Sequence, residues 1–361
     1  MGSFALPVLF SVLSFLFPQP EATIVFAGDA MQHQRQLDAA RTPAGEYDYS
    51  QCFAGIAPWI QEADYAVVNL ETTLNGRNYT GYPCFCTPDS YAEALRDAGF
   101  DMFLTANNHT LDRRDAGLNR TVAMLDSLGV DHIGTYRNRS ERDAAIPCIR
   151  EIGGIKVGFL NYTFSTNGIK VQREAVVDYI DKEVIRADVE ATRRAGAELV
   201  IVIPHWGTEY RLLPDAWQKS MADYIMSLDV DIVMGGHPHV VQPMEVRVDE
   251  ETGRRRLLVY SLGNFLSGMR TTDTRGGAVV KVTLSRDDNG AAQFEAAEYR
   301  LVYTVPGTSS SNNYRIIYVD DESDIAPLPS SVRSQCSAFV ANATRIFDKH
   351  NREVPRHDAS R

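Results

Sequence analysis

Two histidines stand one residue apart in GGHPHVVQ, Gly235 to Gln242, directly after the apolar run VDIVM. In a chain with eight histidines, this spacing marks a candidate metal-binding pair, because Pro238 stiffens the loop and two imidazoles leave one strand end together. Other apolar runs close on related chemistry. Asp29 follows ATIVFAG, Asn69 and Glu71 end YAVVNLE, Asn107, Asn108 and His109 follow FLTA, and His205 follows VIVIP. Asp, Glu, Asn and His are the oxygen and nitrogen donors that suit a divalent ion such as Zn, Mn or Fe. Taken singly, each has a plainer use: an Asp after a strand commonly caps a turn, and a lone His is commonly a hydrogen-bonded structural residue. Their recurrence at five strand ends implies one shared centre.

What positions these residues is an alternation of elements. ATIVFAG (22–28), YAVVNL (65–70), FDMFLTA (100–106), IKVGFLNYT (155–163), ELVIVIP (198–204), VDIVMG (230–235) and RLLVYSLGN (256–264) read as buried strands. Between them, DSYAEALRDAG (89–99), GLNRTVAMLDSLG (117–129), DKEVIRADVEATRRAG (181–196) and PDAWQKSMADYIMSL (214–228) carry apolar residues at helical spacing. This pattern predicts a layered α/β domain. In open α/β sheets the ligand crevice lies beyond the carboxyl ends of the strands, where the candidate donors collect. After Gly276 the sequence reads as a hairpin turning at Asn289-Gly290, expected to complete a second sheet. The chain divides into a leader (1–22), a main domain (23–302) and a C-terminal extension (303–361) packed on it. The extension is helical around SQCSAFVANATRIFDKH and frayed from Asn351.

Composition narrows the function. A formal net charge of −11, with no basic stripe, excludes a nucleic-acid partner. The five cysteines are scattered and odd in number, unlike a disulfide framework or a repeated zinc motif, and read as small buried hydrophobes. The apolar run Phe4 to Phe17 is shorter than the ~20 residues a membrane-spanning helix needs and has the length of an export signal. Export predicts an extracytoplasmic place of work, periplasmic or at the cell surface.

The blocks GDAM (28–31), NLETTL (69–74), TANNHTLD (105–112), HWGTEY (205–210), GGHPHVVQPME (235–245) and YSLGNF (260–265), in this order, resemble the CapA family of poly-γ-glutamate capsule biosynthesis proteins. That family lies within the calcineurin-like metallophosphoesterase superfamily. The resemblance runs from about Thr23 to about Leu284. It implies a two-sheet α/β sandwich flanked by helices, four layers in the order αββα, with one or two divalent ions. Asp29 matches the first aspartate ligand, but Met31 stands where the superfamily pattern has a histidine; His33 replaces it only if the loop bends. The bridging-aspartate block is replaced by Asn69-Leu70-Glu71, with Glu71 resembling the bridging carboxylate. Asn108, His205 and His237 resemble ligands of the second ion and His239 a ligand of the first, while His109 matches the general acid. Asp112 and Glu209 are candidates to orient His109 and His205. Arg77, Tyr79 and Tyr82 are candidates for a substrate wall, and Asn264, in the last block, for a supporting place beside the centre.

Two functions fit. One is a metal-dependent hydrolase or transferase acting on phosphoester or γ-glutamyl links of an anionic surface polymer. The other is an accessory protein that binds or passes on that polymer within a membrane-associated biosynthetic complex, its metal site degenerate.

Overall fold

The computed structural model describes residues 21–358, so the run read as a leader lies outside the described residues up to residue 20. Ala22, placed at the leader's end, instead opens β1 (Ala22–Ala30), fully buried and paired with Leu284. Along β1, Ile24 and Phe26 face one core while Val25 and Ala27 face another, the two-residue alternation of a strand. Because both faces are covered, the run is apolar throughout.

One sheet holds, in spatial order, β16 (Arg315–Tyr318), β15 (Ala292–Val305), β14 (Gly276–Arg286), β1, β2 (Tyr65–Leu70), β3 (Met102–Leu104) and β4 (Asp131–Ile133), with β13 (Asn264–Leu266) paired to the end of β1. The second holds β11 (Met244–Val248), β12 (Arg255–Val259), β10 (Ile232–Met234), β9 (Leu199–His205), β7 (Ile155–Thr163) and β6 (Cys148–Ile152). A small ribbon pairs β5 (Thr135–Tyr136) with β8 (Val176–Val177). The main core lies between the two large sheets. Outside the first sheet pack α1 (Gln34–Ala40), α2 (Ala57–Gln61), α3 (Asp89–Asp97) and α4 (Arg114–Leu128). Outside the second pack α6 (Lys182–Arg194) and α7 (Ala216–Met226), through Ile185, Val189, Met221 and Ile225. The architecture is thus a four-layer αββα sandwich, with α5 (Arg139–Ala145) and the short α8 (Glu322–Ile325) at its margins.

Local chemistry sets the helix ends. Asp181 accepts hydrogen bonds from the Glu183 and Val184 amides at the start of α6, and Gly129 closes α4 at φ 68°, a left-handed conformation that glycine adopts without steric cost. The parallel strands β1, β2 and β3, and β9 with β10, run the same way within their sheets, so their carboxyl ends meet along one edge of the sandwich.

Three expectations are corrected. The late hairpin, β14 and β15, does not build the second sheet but extends the first, because β14 pairs antiparallel with β1. The boundary at residue 302 falls inside β15, and the extension returns β16 to the same sheet before α9 (Ser330–His350) lays Phe339 and Phe347 on Tyr303 and Tyr299. The tail is not frayed from Asn351 to residue 358, the last described. Arg352 exchanges backbone hydrogen bonds with Met244 and Val246, and His357 and Pro355 do so with Tyr299. Edge backbone groups of both sheets thereby gain partners that a free tail would leave to water.

Candidate metal centre

Asp29 is held by a close approach of two backbones. A Cβ on Gly28 would stand 2.0 Å from the Gly263 carbonyl oxygen, so only glycine lets the β1 and β13 chains meet, and the Asp29 amide donates to that oxygen at 3.0 Å. From β2, Asn69 Nδ2 donates to Asp29 Oδ1 at 2.8 Å, and Asn107 Nδ2 donates to Asn69 Oδ1 at 3.1 Å. Asn107 also accepts the His109 amide at 3.1 Å. One amide chain therefore links three strand ends.

The GGHPH loop uses strained backbone. His237 and His239 take φ values of 99° and 59°, a conformation that costs a non-glycine residue of order 1–3 kcal/mol and persists only where surroundings enforce it. Those surroundings are visible: the His237 amide donates to Asp29 Oδ2 at 3.3 Å, and His239 Nδ1 lies 3.1 Å from Asn264 Oδ1 and 3.3 Å from Asp29 Oδ2.

Donor atoms of Asp29, Glu71 and His239 lie within 4.8 Å of one another, as do those of Glu71, His205 and His237. Glu71 belongs to both sets. Its Oε1 is 3.7 Å from His205 Nε2 and 3.9 Å from His239 Nε2. Asn108 Oδ1 comes within 2.9 Å of His205 Nε2, itself 3.2 Å from His237 Nδ1. A third set joins Glu209, which is exposed, to His237 and His239. Glu209 therefore lies with the H-P-H pair, not in the place beside His205 expected from the sequence.

The electrostatics are those of a cation site. Burial pushes Glu71 well above its ordinary range, with Asp29 and Glu209 adding to the shift, and Glu71 Oε1 is buried without a hydrogen-bond partner. Burial also raises Asp29, but His239 and the charge of His205 hold it below its usual value. Burial lowers His205 to about 3 against the pull of Asp29, and lowers His237 well below normal, with His205 and His239 contributing. His205 and His237 are thus neutral imidazoles with lone pairs to give, beside a carboxylate whose Oε2 accepts from Asn69 at 3.5 Å while Oε1 has no hydrogen-bond partner. Such a donor set fits a divalent ion, whose charge would reverse the penalty on Glu71.

Around this centre, His109 Nδ1 lies 2.8 Å from Asp112 Oδ2, which also accepts the Phe85 amide at 2.6 Å. His33 belongs to none of the three donor sets; its Nδ1 accepts the Gly268 amide at 3.2 Å, and burial lowers it to about 4. Met31 is buried, its amide donates to the Leu266 carbonyl, and it brings no donor to the centre. Tyr79 packs edge-on against Tyr47, and exposed Arg77 offers its carbonyl to Cys86 Sγ. Tyr82, 74% exposed, leans on Phe85, whose ring meets both His109 and His33. Sequence reasoning missed Phe85, and also Phe164 and Tyr210, half-exposed rings 4.5 Å from His237 and 6.1 Å from His239. Phe164 directly follows the β7 run, a strand-end signal that was available.

Residues 23–269 match the profile of a family described as bacterial capsule synthesis protein PGA_cap. The chain is similar to the capsule biosynthesis protein CapA of Bacillus anthracis, 25% identical over 283 residues, covering 75% of this chain and 65% of that one. It is 27% identical over 287 residues to the PGA biosynthesis protein CapA of Bacillus subtilis (strain 168), covering 78% and 72%. This chain thus spans just under two thirds of the Bacillus anthracis relative. Among solved structures, the NAD nucleotidase of Haemophilus influenzae aligns with a TM-score of 0.50 at 12% identity, over 94% of this chain and 65% of that one, a likeness of fold. With the matched segment running from β1 through β13, and so through every donor of the centre, the chain belongs to the bacterial capsule synthesis protein family PGA_cap.

Proposed function

We propose that the protein is a metal-dependent hydrolase or transferase acting on phosphoester or γ-glutamyl amide links of an anionic surface polymer. The observation that carries this reading is Glu71, a buried carboxylate with an unpartnered oxygen, common to two donor sets. A bound divalent ion supplies charge stabilisation at a phosphoryl or carbonyl oxygen and acidifies water. Asp29, Glu71, Asn108, His205, His237 and His239 would hold it. His109 is the proton donor: with Asp112 accepting its Nδ1–H, Nε2 delivers a proton to the oxygen or nitrogen that departs, as an oxygen of water or of the acceptor bonds to phosphorus or carbon and the bond to the departing atom breaks. The names of the Bacillus relatives support the polymer class. The apolar run near the amino terminus supports work outside the cytoplasm, and cell fractionation with amino-terminal sequencing tests it; a cytosolic product beginning at Met1 defeats it. Among the described residues no helix is long and apolar enough to cross a membrane.

Met31 favours a second reading, in which the centre binds polymer without turning it over. Elemental analysis followed by a panel of phosphoesters and γ-glutamyl peptides separates the two. Metal-dependent turnover that His109→Ala lowers about 100-fold is expected for a lost proton donor; no turnover of any substrate by metal-loaded protein leaves the binding reading.

A further inference from the structure

Three arginines, Arg35, Arg270 and Arg275, line a cavity of about 160 Å³ together with Thr304 and Tyr314. The chain carries 47 acidic residues against 36 basic ones, and its arginines commonly find carboxylates: Arg142, Arg150, Arg254 and Arg300 all do. Among the described residues, none of these three has an acidic partner within the 4.0 Å of an ion pair. Arg275 is anchored through Nε to the Arg270 main-chain carbonyl at 3.1 Å, which ties its side chain to the loop that carries Arg270. Tyr314 lines the same cavity as the three arginines; burial raises its phenol, and the charges of Arg35, Arg270 and Arg275 oppose that rise. At the same wall, Thr304 Oγ1 is buried and has no hydrogen-bond partner. Guanidinium groups without a carboxylate partner, a hydroxyl without a hydrogen-bond partner and a phenol, all lining one small space, are the complement of an anion.

The cavity is coupled to the metal centre through one loop. Thr274, beside Arg275, accepts the Asn264 amide at 2.9 Å, and the other end of Asn264 meets His239. The Gly268 amide, at the cavity wall, donates to His33, two residues before Arg35. The volume is below the several hundred Å³ of sites that enclose whole drug-sized ligands, and suits a single charged group of a longer molecule.

We infer that this cavity is an anion subsite, which binds a carboxylate or phosphate group of the substrate and holds a polyanionic chain in register with the metal centre. The inference rests on the reading of that centre as one that acts on an anionic polymer. A planar guanidinium fork pairs with either group through two parallel hydrogen bonds. In a chain of net charge −11 the trio provides local attraction where the overall field repels a polyanion, and salt weakens it because Arg35 and Arg270 are exposed.

The test measures binding by the metal-loaded full chain to two probes at low salt: a fluorescent γ-glutamyl oligomer and inorganic tripolyphosphate. Arg270→Gln with Arg275→Gln is expected to weaken one probe at least tenfold while metal content and melting temperature stay at wild-type values; the probe that responds names the charged group. Should the double variant fail to fold, Arg35→Gln, on the exposed side of α1, carries the test with a smaller loss. Unchanged affinity of the variants for both probes overturns the subsite, as does failure of the wild type to bind either. A protein that binds through these arginines yet hydrolyses nothing removes the hydrolytic reading and leaves the subsite standing.

Discussion

Asn264 Oδ1 stands 3.1 Å from His239 Nδ1, and the same residue's Nδ2 donates to the Thr274 carbonyl at 2.9 Å. A carbonyl only accepts, so the amide has one orientation, and its oxygen must receive Nδ1–H from the imidazole. His239 is thereby fixed in the tautomer whose Nε2 lone pair faces Glu71. A partner of this kind typically changes metal affinity 10- to 100-fold. Asn264→Ala is expected to weaken metal binding by about that factor, seen by competition with a chelator, with the far-ultraviolet circular dichroism unchanged.

Glu71→Gln separates the ion from the fold. Burial, with Asp29 and Glu209 adding to it, raises the Glu71 carboxyl above its ordinary value of 4.5. In metal-free protein the stability it allows is full below the unfolded value and is lost as pH rises toward the folded one. Chelator-treated wild type should therefore lose melting temperature as pH rises above the ordinary value of 4.5, where the unfolded chain ionises this carboxyl and the folded protein resists it. Glu71→Gln should flatten this slope and bind little metal. A wild-type slope retained in the variant contradicts the assignment.

His109 and Asp112 should behave as one unit. If Asp112 acts by orienting the imidazole, Asp112→Asn lowers kcat with little change in KM, by less than the roughly 100-fold loss for His109→Ala. The double variant then falls no further than His109→Ala alone, because coupled residues are not additive. Independent, multiplying losses in single-turnover measurements would show that Asp112 acts elsewhere, through its bond to the Phe85 amide.

Stability has a separate test far from the centre. Arg142, 5% exposed, is bonded to Asp178 and, at 2.5 Å, to Asp188, which also accepts the Tyr162 hydroxyl at 2.8 Å. Removing one member of a buried charge network leaves the others uncompensated, at a cost of about 3–5 kcal/mol. Arg142→Ala should lower the urea midpoint by that equivalent, and a change below about 1 kcal/mol would mean the carboxylates find water instead.

Strand runs were legible in the sequence because a strand buried on both faces is apolar without interruption, as in ATIVFAG and ELVIVIP. Helices α3, α4, α6 and α7 were legible for their 3.6-residue spacing. The short α1, α2 and α5 were not, since five to seven residues are too few to display a period. The tail was misread because its polar composition says nothing of the sheet edges it finds.

By itself the sequence determined that Asp, Glu, Asn and His would follow buried strands, and that two of the histidines would share a stiff loop; these are local facts, set by residue type and by neighbours a few positions away. Tertiary structure alone decided that Glu209 sits with His237 rather than His205, and that Asn264 selects the tautomer of His239. It also decided that Arg35 lines one cavity with Arg270 and Arg275 across more than two hundred residues of chain. The reason is register. Side-chain direction along a strand follows from the sequence, but which strand lies beside it, and at what offset, depends on the packing of two sheets whose apolar runs look alike.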